Sequence, residues 1–205
     1  MYNNNPTRVL TGEVRLSFVN LVAPRANNAN PNSAPRYSVT LLIPKTDEAV
    51  KQNIDASIEA AASDAQSKLW GGVRPPVMPI PIHDGDGVRE NGTPYGPECK
   101  GCWVITASSK QKPQVVHQSD INTELAPQDI YSGMYARVTM NFFGYNQAGR
   151  RGIGCGLGNV MKTRDGEPLA GGASAAADFA GVGQTVAAPM GTQMINPLTG
   201  QPYYG

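Results

Sequence analysis

Tyr131–Gly172 reads YSGMYARVTMNFFGYNQAGRRGIGCGLGNVMKTRDGEPLAGG, and its alternation decides the fold class. From Tyr135 onward, Tyr135, Arg137, Thr139, Asn141, Phe143 and Tyr145 share one face of a strand. Ala136, Val138, Met140 and Phe142 share the other, because side chains alternate with period two. The second face is apolar and suits a core. The first combines two tyrosines, a phenylalanine and an arginine, and exposed aromatic clusters of this kind mark binding surfaces. Aromatics and cations on a flat sheet are what unpaired nucleic-acid bases stack on. Asn146–Gly149 turns the chain, Arg150 and Arg151 follow the turn, and Gly152–Lys162 returns. Gly152, Gly154, Gly156 and Gly158 strip side chains from one face of the return strand, which leaves room for a backbone or a base. They lack the strand–turn–helix order of a phosphate loop.

Working outward, Thr11–Val22 alternates with Val14, Leu16 and Phe18 on one side and Glu13, Arg15 and Ser17 on the other, which predicts a first long strand. Residues 23–35, APRANNANPNSAP, form a loop. Arg36–Ile43 is rich in β-branched residues and predicts a second strand ended by Pro44. Thr46–Trp70 predicts the one helix. Val50, Ile54, Ile58, Ala61, Ala65 and Leu69 make an apolar stripe, Thr46 caps the start and Gly71-Gly72 ends it. Residues 71–100 read as a long irregular excursion. Cys102–Lys110 predicts a strand with Gln114–His117 as its hairpin partner, followed by a helical turn around Pro127. After Gly166 the composition becomes Gly/Ala-rich and nearly uncharged, which predicts a flexible tail.

The chain has 205 residues and a net charge of +1. It contains no apolar run of about 20 residues to cross a bilayer. The start, MYNNNPTRVL, lacks the basic and apolar regions of a secretory signal. Three cysteines in such a chain predict reduced thiols rather than a disulfide framework. Residues 1–46 carry Arg8, Arg15, Arg25, Arg36 and Lys45 against Glu13 alone, and the acidic charge gathers on the helix. Such a dipolar surface steers a phosphate backbone despite the small net charge.

Two other constellations carry possible chemistry. Cys99 and Cys102 form a CxxC that His83, His117 and Cys155 could complete as a zinc site, but no second closely spaced pair exists and buried structural thiols are the simpler reading. Asp84-Gly85-Asp86 could place two carboxylates on a divalent cation, as a metal-dependent nuclease requires. An Asp-Gly turn explains the same residues. No nucleophile elbow or triad pattern occurs. These readings predict a non-catalytic chain without a cofactor or metal.

The opening block resembles the carboxyl half of a phage-encoded single-stranded DNA-binding protein family. RYSVTLLIPK, PIHDGD and ITASSK with the following PQVV match it in the same order, over roughly residues 8–172. The resemblance implies an OB-fold barrel that binds single-stranded DNA without strong sequence preference in phage replication or recombination, in the cytoplasm of the host. The fold expectation is therefore mainly β with one helix: an elaborated OB barrel of five to six strands over residues 1–169, then a flexible tail over 170–205. Family barrels place the helix between the third and fourth strands, whereas here it follows the second, so the barrel is elaborated or its first strand is split. The acidic tail common among such proteins is also missing, since Asp178 is the last charged residue.

The candidate DNA-binding residues are Tyr135, Arg137, Asn141, Phe143, Tyr145, Arg150 and Arg151, joined by Lys110, Lys112, Arg15 and Arg36. Trp103 is equally a stacking platform or a core residue. Replication proteins and further copies of the chain are candidate partners. A phage structural or assembly protein, with the aromatic face as a subunit interface, is the remaining alternative.

Overall fold

The quoted block folds as the two longest strands of the molecule, paired antiparallel, with Phe143 opposite Gly154 and Tyr145 opposite Gly152. The computed structural model describes residues 4–26, 33–147 and 149–169. In chain order the strands are β1 (Arg8–Leu10), β2 (Val14–Arg25), β3 (Arg36–Pro44), β4 (Ile82–Asp84), β5 (Cys102–Ser109), β6 (Val115–His117), β7 (Asp120–Glu124), β8 (Tyr135–Gln147) and β9 (Arg150–Arg164). One α-helix, α1 (Glu48–Lys68), lies between β3 and β4, and short 3-10 turns occupy Pro97–Cys99 and Pro127–Asp129. The expected tail lies outside the described residues.

β2, β3, β5, β9 and β8 close into a ring, with β8 returning to β2 through Val14–Ala136 and Arg15–Tyr135. Numbered in chain order, the ring runs first, second, third, fifth, fourth. Its one parallel junction joins the third strand to the fifth, at Ser108 and Gly156. This is the OB barrel. β2 is continuous, so the first strand is not split. The helix is an insertion between the second and third ring strands. The expected count of five to six strands covers the ring, while β1, β4, β6 and β7 are additions to it.

The core is the inward row of each ring strand: Leu16 and Leu21, Leu41 and Ile43, Ile105 and Ala107, Val138 and Phe142, Ile153 and Val160. Ile54, Ile58, Ala61 and Ala65 of α1 complete it. Asp47, not Thr46, caps the helix, its carboxylate accepting the Val50 N–H at 3.2 Å. Leu69 is exposed and Trp70 takes the last buried place, because the helix stops at Lys68 and the Trp70 N–H reaches back to the Ala65 carbonyl. The helix lies against the core side of β8, where Gly144 faces it. A Cβ on Gly144 would sit 2.1 Å from that of Ala65, so only glycine permits this approach.

Four further expectations are corrected. Phe18 does not share the inward side of Val14 and Leu16: it has φ +47° at a bulge between Ser17 and Asn20 and is 60 % exposed, while Ser17 is buried. The bulge adds a residue and inverts the alternation. β6 is not the hairpin partner of β5; it pairs parallel with β9 and antiparallel with β7, a strand not expected from the sequence. The excursion over 71–100 is not wholly irregular, since β4 adds to β5. Thr139 is buried although it lies on the polar face of β8, because it bonds across a second bulge to the N–H and C=O of Asn159.

Lys45 fastens the excursion to the barrel. Its ammonium contacts Asp84 at 2.5 Å and Asp86 at 2.7 Å, and Asp86 also accepts the Gly101 N–H. The hydrogen bonds from Lys45 hold both carboxyls below their ordinary range and raise the ammonium above its own. A depressed carboxyl stabilises the fold above its unfolded pKa, about 3.9, and loses that contribution as pH falls through its folded value. Lys45→Met is therefore expected to move the acid-unfolding midpoint to higher pH, followed by circular dichroism. An unchanged midpoint would show that the staple does not couple to folding.

Candidate nucleic-acid interface

The outer face of β3 and β5 pairs Ser38 with Ser108, Thr40 with Thr106 and Leu42 with Val104. Small hydroxyl side chains thus floor a shallow groove, with a Thr40–Thr106 hydroxyl contact of 3.0 Å across it. Ser17 and Phe18 of β2 form one wall. Tyr95, His83 and the turn Arg89–Asn91 form the other, enclosing a cavity of about 530 Å³. A second cavity of about 600 Å³ lies at the β8–β9 tip between Val77, Pro79, Tyr145, Arg150 and Arg151. Glu90 lines both, so the two hollows adjoin at its turn and form one candidate track. In OB barrels, the face of the second and third strands, with the loop joining the fourth to the fifth, receives oligonucleotides. Those elements here are β3, β5 and the β8–β9 tip.

The sequence-predicted residues fall into groups. Tyr145, Arg150 and Arg151 line the tip cavity, and Phe143 lies one cross-strand pair further along the same face. The alternate glycines do not leave an empty lane. A Cβ on Gly154 would lie 2.7 Å from the Phe143 ring, and one on Gly152 would lie 2.6 Å from the Tyr145 hydroxyl. The glycines let these rings lie down on the sheet, which turns an aromatic face outward. Phe143 remains 44 % exposed in this position. Arg151 also donates to the Trp70 carbonyl at 3.3 Å, which fixes the tip to the end of α1. Arg36 and Lys110 are exposed at the far end of the strand face.

The others are placed differently. Tyr135 stands ten residues from Tyr145, roughly 33 Å along the strand, under the Arg164 guanidinium at 3.4 Å and near Arg15 at 5.9 Å. Its face is already occupied. Arg15 donates to the carbonyls of Gly133 and Glu167 and acts as a brace for that end of the barrel. Arg137 is exposed near Tyr135. Asn141 accepts from Thr7 and borders a separate hollow near β1. Lys112 pairs with Glu124 of β7 at 3.1 Å. Trp103 lies beneath two ammoniums, Lys45 at 5.0 Å and Lys51 at 4.7 Å, and packs on the core.

Four residues that line these hollows, Phe18, Tyr95, Arg89 and Glu90, are not among the residues predicted from sequence. Period two puts Phe18 on the side of Val14 and Leu16, and only the bulge exposes it. Tyr95 and Arg89, stacked at 5.1 Å, lie in the excursion, where no periodicity locates a side chain.

The alternative chemistries find little support. Asp84 and Asp86 are engaged by one lysine, which takes the charge a metal would need. No group of three or more His, Cys, Asp or Glu among the described residues is arranged to hold a metal ion. Cys99 and Cys155 are buried, and burial pushes the Cys155 thiol up to about 12. No helix among the described residues is long and apolar enough to cross a membrane.

Comparison with known proteins places the chain among phage single-stranded DNA-binding proteins. The single-stranded DNA-binding protein of bacteriophage Enc34, solved in complex with single-stranded DNA, is 29 % identical with a TM-score of 0.67, covering 80 % of this chain and 90 % of that one. Putative protein p50 of Acyrthosiphon pisum secondary endosymbiont phage 1 is 28 % identical over 179 residues, 83 % of this chain and 91 % of that protein. The single-stranded DNA-binding protein gp2.5 of bacteriophage T7 shares the fold at 14 % identity and a TM-score of 0.52, over 81 % of this chain and 96 % of that one. The family model described as the single-stranded DNA-binding protein of Enterobacter phage Enc34 matches residues 7–188, so the chain belongs to that phage family.

Proposed function

We propose that this protein binds single-stranded DNA, non-catalytically and with little sequence preference, in phage DNA replication or recombination within the host cell. The observation that carries the reading is the pair of adjoining hollows over the hydroxyl floor of β3 and β5 and at the arginine tip of β8–β9. They combine the aromatic rings of Phe18, Tyr95 and Tyr145 with Arg89, Arg150 and Arg151. Bases stack on Phe18, Tyr95 and Tyr145, with Phe143 beside them. Arg36, Lys110, Arg150 and Arg151 follow the phosphates. Residues 1–169 form the binding domain. The tail over 170–205 recruits replication proteins, not through acidic charge, since Asp178 is its only charged residue, but through Phe179 or the terminal Tyr203 and Tyr204.

A fluorescence titration with single- and double-stranded oligonucleotides at two salt concentrations tests this. Each neutralised phosphate on a single strand contributes about −0.7 to the slope of log K against log salt. Four cations along the track therefore give a slope of about −3 for oligo-dT. Tyr145→Ala is expected to weaken binding by about 1–3 kcal/mol, the range for one stacked base. Binding that ignores salt, or a duplex preference, would refute the proposal.

A further inference from the structure

Among the described residues Glu90 is the only carboxylate lining the track, and it borders both cavities. Its position is built. Val88 pairs with Pro94, the Arg89 N–H donates to the Thr93 carbonyl at 2.8 Å, and the Gly92 N–H closes the turn on the Arg89 carbonyl at 2.8 Å. Asn91 accepts from the Thr93 N–H and hydroxyl, and Gly92 supplies the φ of +79° that the turn needs. Glu90 is therefore a central residue of a pinned β-turn. Arg89, its neighbour, is directed onto the Tyr95 ring. Glu90 itself has no hydrogen-bonded or ion-paired partner among the described residues.

A phosphate passing this point would meet an unneutralised carboxylate, and like charges repel. The strand lowers its energy by turning a base toward Glu90 and keeping its phosphates on the arginine side. The Watson–Crick edge of a single-stranded base is free to be read. A carboxylate only accepts hydrogen bonds. It suits the exocyclic amine of cytosine, whereas thymine flanks its one N–H with two carbonyl oxygens that repel it. We infer that Glu90 is a base-reading residue that favours amino-bearing bases over thymine where the strand crosses from the β3–β5 face to the β8–β9 tip. The inference rests on the single-stranded DNA reading above and adds a local preference to it.

The test compares oligo-dC with oligo-dT of equal length, for the wild type and Glu90→Gln, by fluorescence anisotropy at fixed salt. Glutamine keeps the size, removes the charge and can donate to a thymine carbonyl. The ratio Kd(dT)/Kd(dC) is expected to fall about fivefold or more in the variant, the lower end of what one good base contact discriminates. Intrinsic differences between the two polymers cancel in this comparison of ratios. Equal tightening on both polymers would mean that Glu90 only repels the backbone, and would overturn the inference, as would no change on either. Those outcomes leave the function itself intact. Failure of the wild type to bind either oligonucleotide removes the single-stranded DNA reading as well.

Discussion

Phe18→Gly is expected to weaken oligo-dT binding about 5- to 150-fold, the equivalent of about 1–3 kcal/mol for one stacking platform, while leaving the melting temperature within a few degrees of the wild type. The combination is unusual for a phenylalanine in a long strand. Truncating a buried one costs about 3–5 kcal/mol, which for a domain of this size lowers Tm by roughly 6–20 °C. Phe18 is 60 % exposed, so little burial is lost. Its φ of +47° also places it in the left-handed region, where a side chain costs about 1–2 kcal/mol that glycine avoids. The backbone entropy of glycine takes back about 0.5–1 kcal/mol of this relief. Strain held at an exposed aromatic is a sign of a functional position. Thermal denaturation and a titration on the same preparation check both halves. A large fall in Tm would return Phe18 to the core. Unchanged affinity would remove it from the track.

The case of Phe18 also marks what could be read from the sequence. β8 and α1 were legible from their periodicity, β9 from its alternate glycines, and β3 from its β-branched residues and the Pro44 that ends it. The barrel was legible through the resemblance and not through pattern, since no alternation states which strand closes on which. Bulges were invisible. Each adds one residue without a compositional mark, and one residue is enough to exchange the faces of everything beyond it. This is how Phe18 left the side of Val14 and Leu16 and came to line the outer groove beside Ser17. Tyr145, Arg150 and Arg151 could be placed together at the tip because a turn and its flanks are local. Tyr95, Arg89 and Glu90 were not, because residues 71–100 are positioned by tertiary anchors: the Lys45 staple and the pairing of β4 with β5. Tyr135 shows the converse error. It has the right type on the right face, but the neighbouring Arg164 comes from a strand whose register the sequence does not state.

Trp70→Ala is expected to cost about 3–5 kcal/mol, the range for removing a large buried aromatic, and so to lower Tm by roughly 6–20 °C. Trp70 is 2 % exposed and joins three elements. Its ring lies against Gly144 of β8, its indole N–H donates to the Tyr145 carbonyl at 3.0 Å, and its own carbonyl accepts from Arg151. Two of those partners carry track side chains. The substitution should therefore weaken oligo-dT binding well below the new Tm, where the barrel is still folded, because the backbone that presents Tyr145 has lost its anchor. Trp70→Phe separates the causes. It keeps most of the apolar contact and removes only the N–H, leaving a carbonyl without its partner at about 1–3 kcal/mol. If that single donor positions the tip, Trp70→Phe weakens binding more than its small change in Tm accounts for, and amide exchange at Tyr145–Arg151 quickens while the rest of β8 stays protected. If both variants, when folded, bind oligo-dT like the wild type, the β8–β9 tip holds its shape without α1, and the anchoring role assigned to Trp70 is wrong.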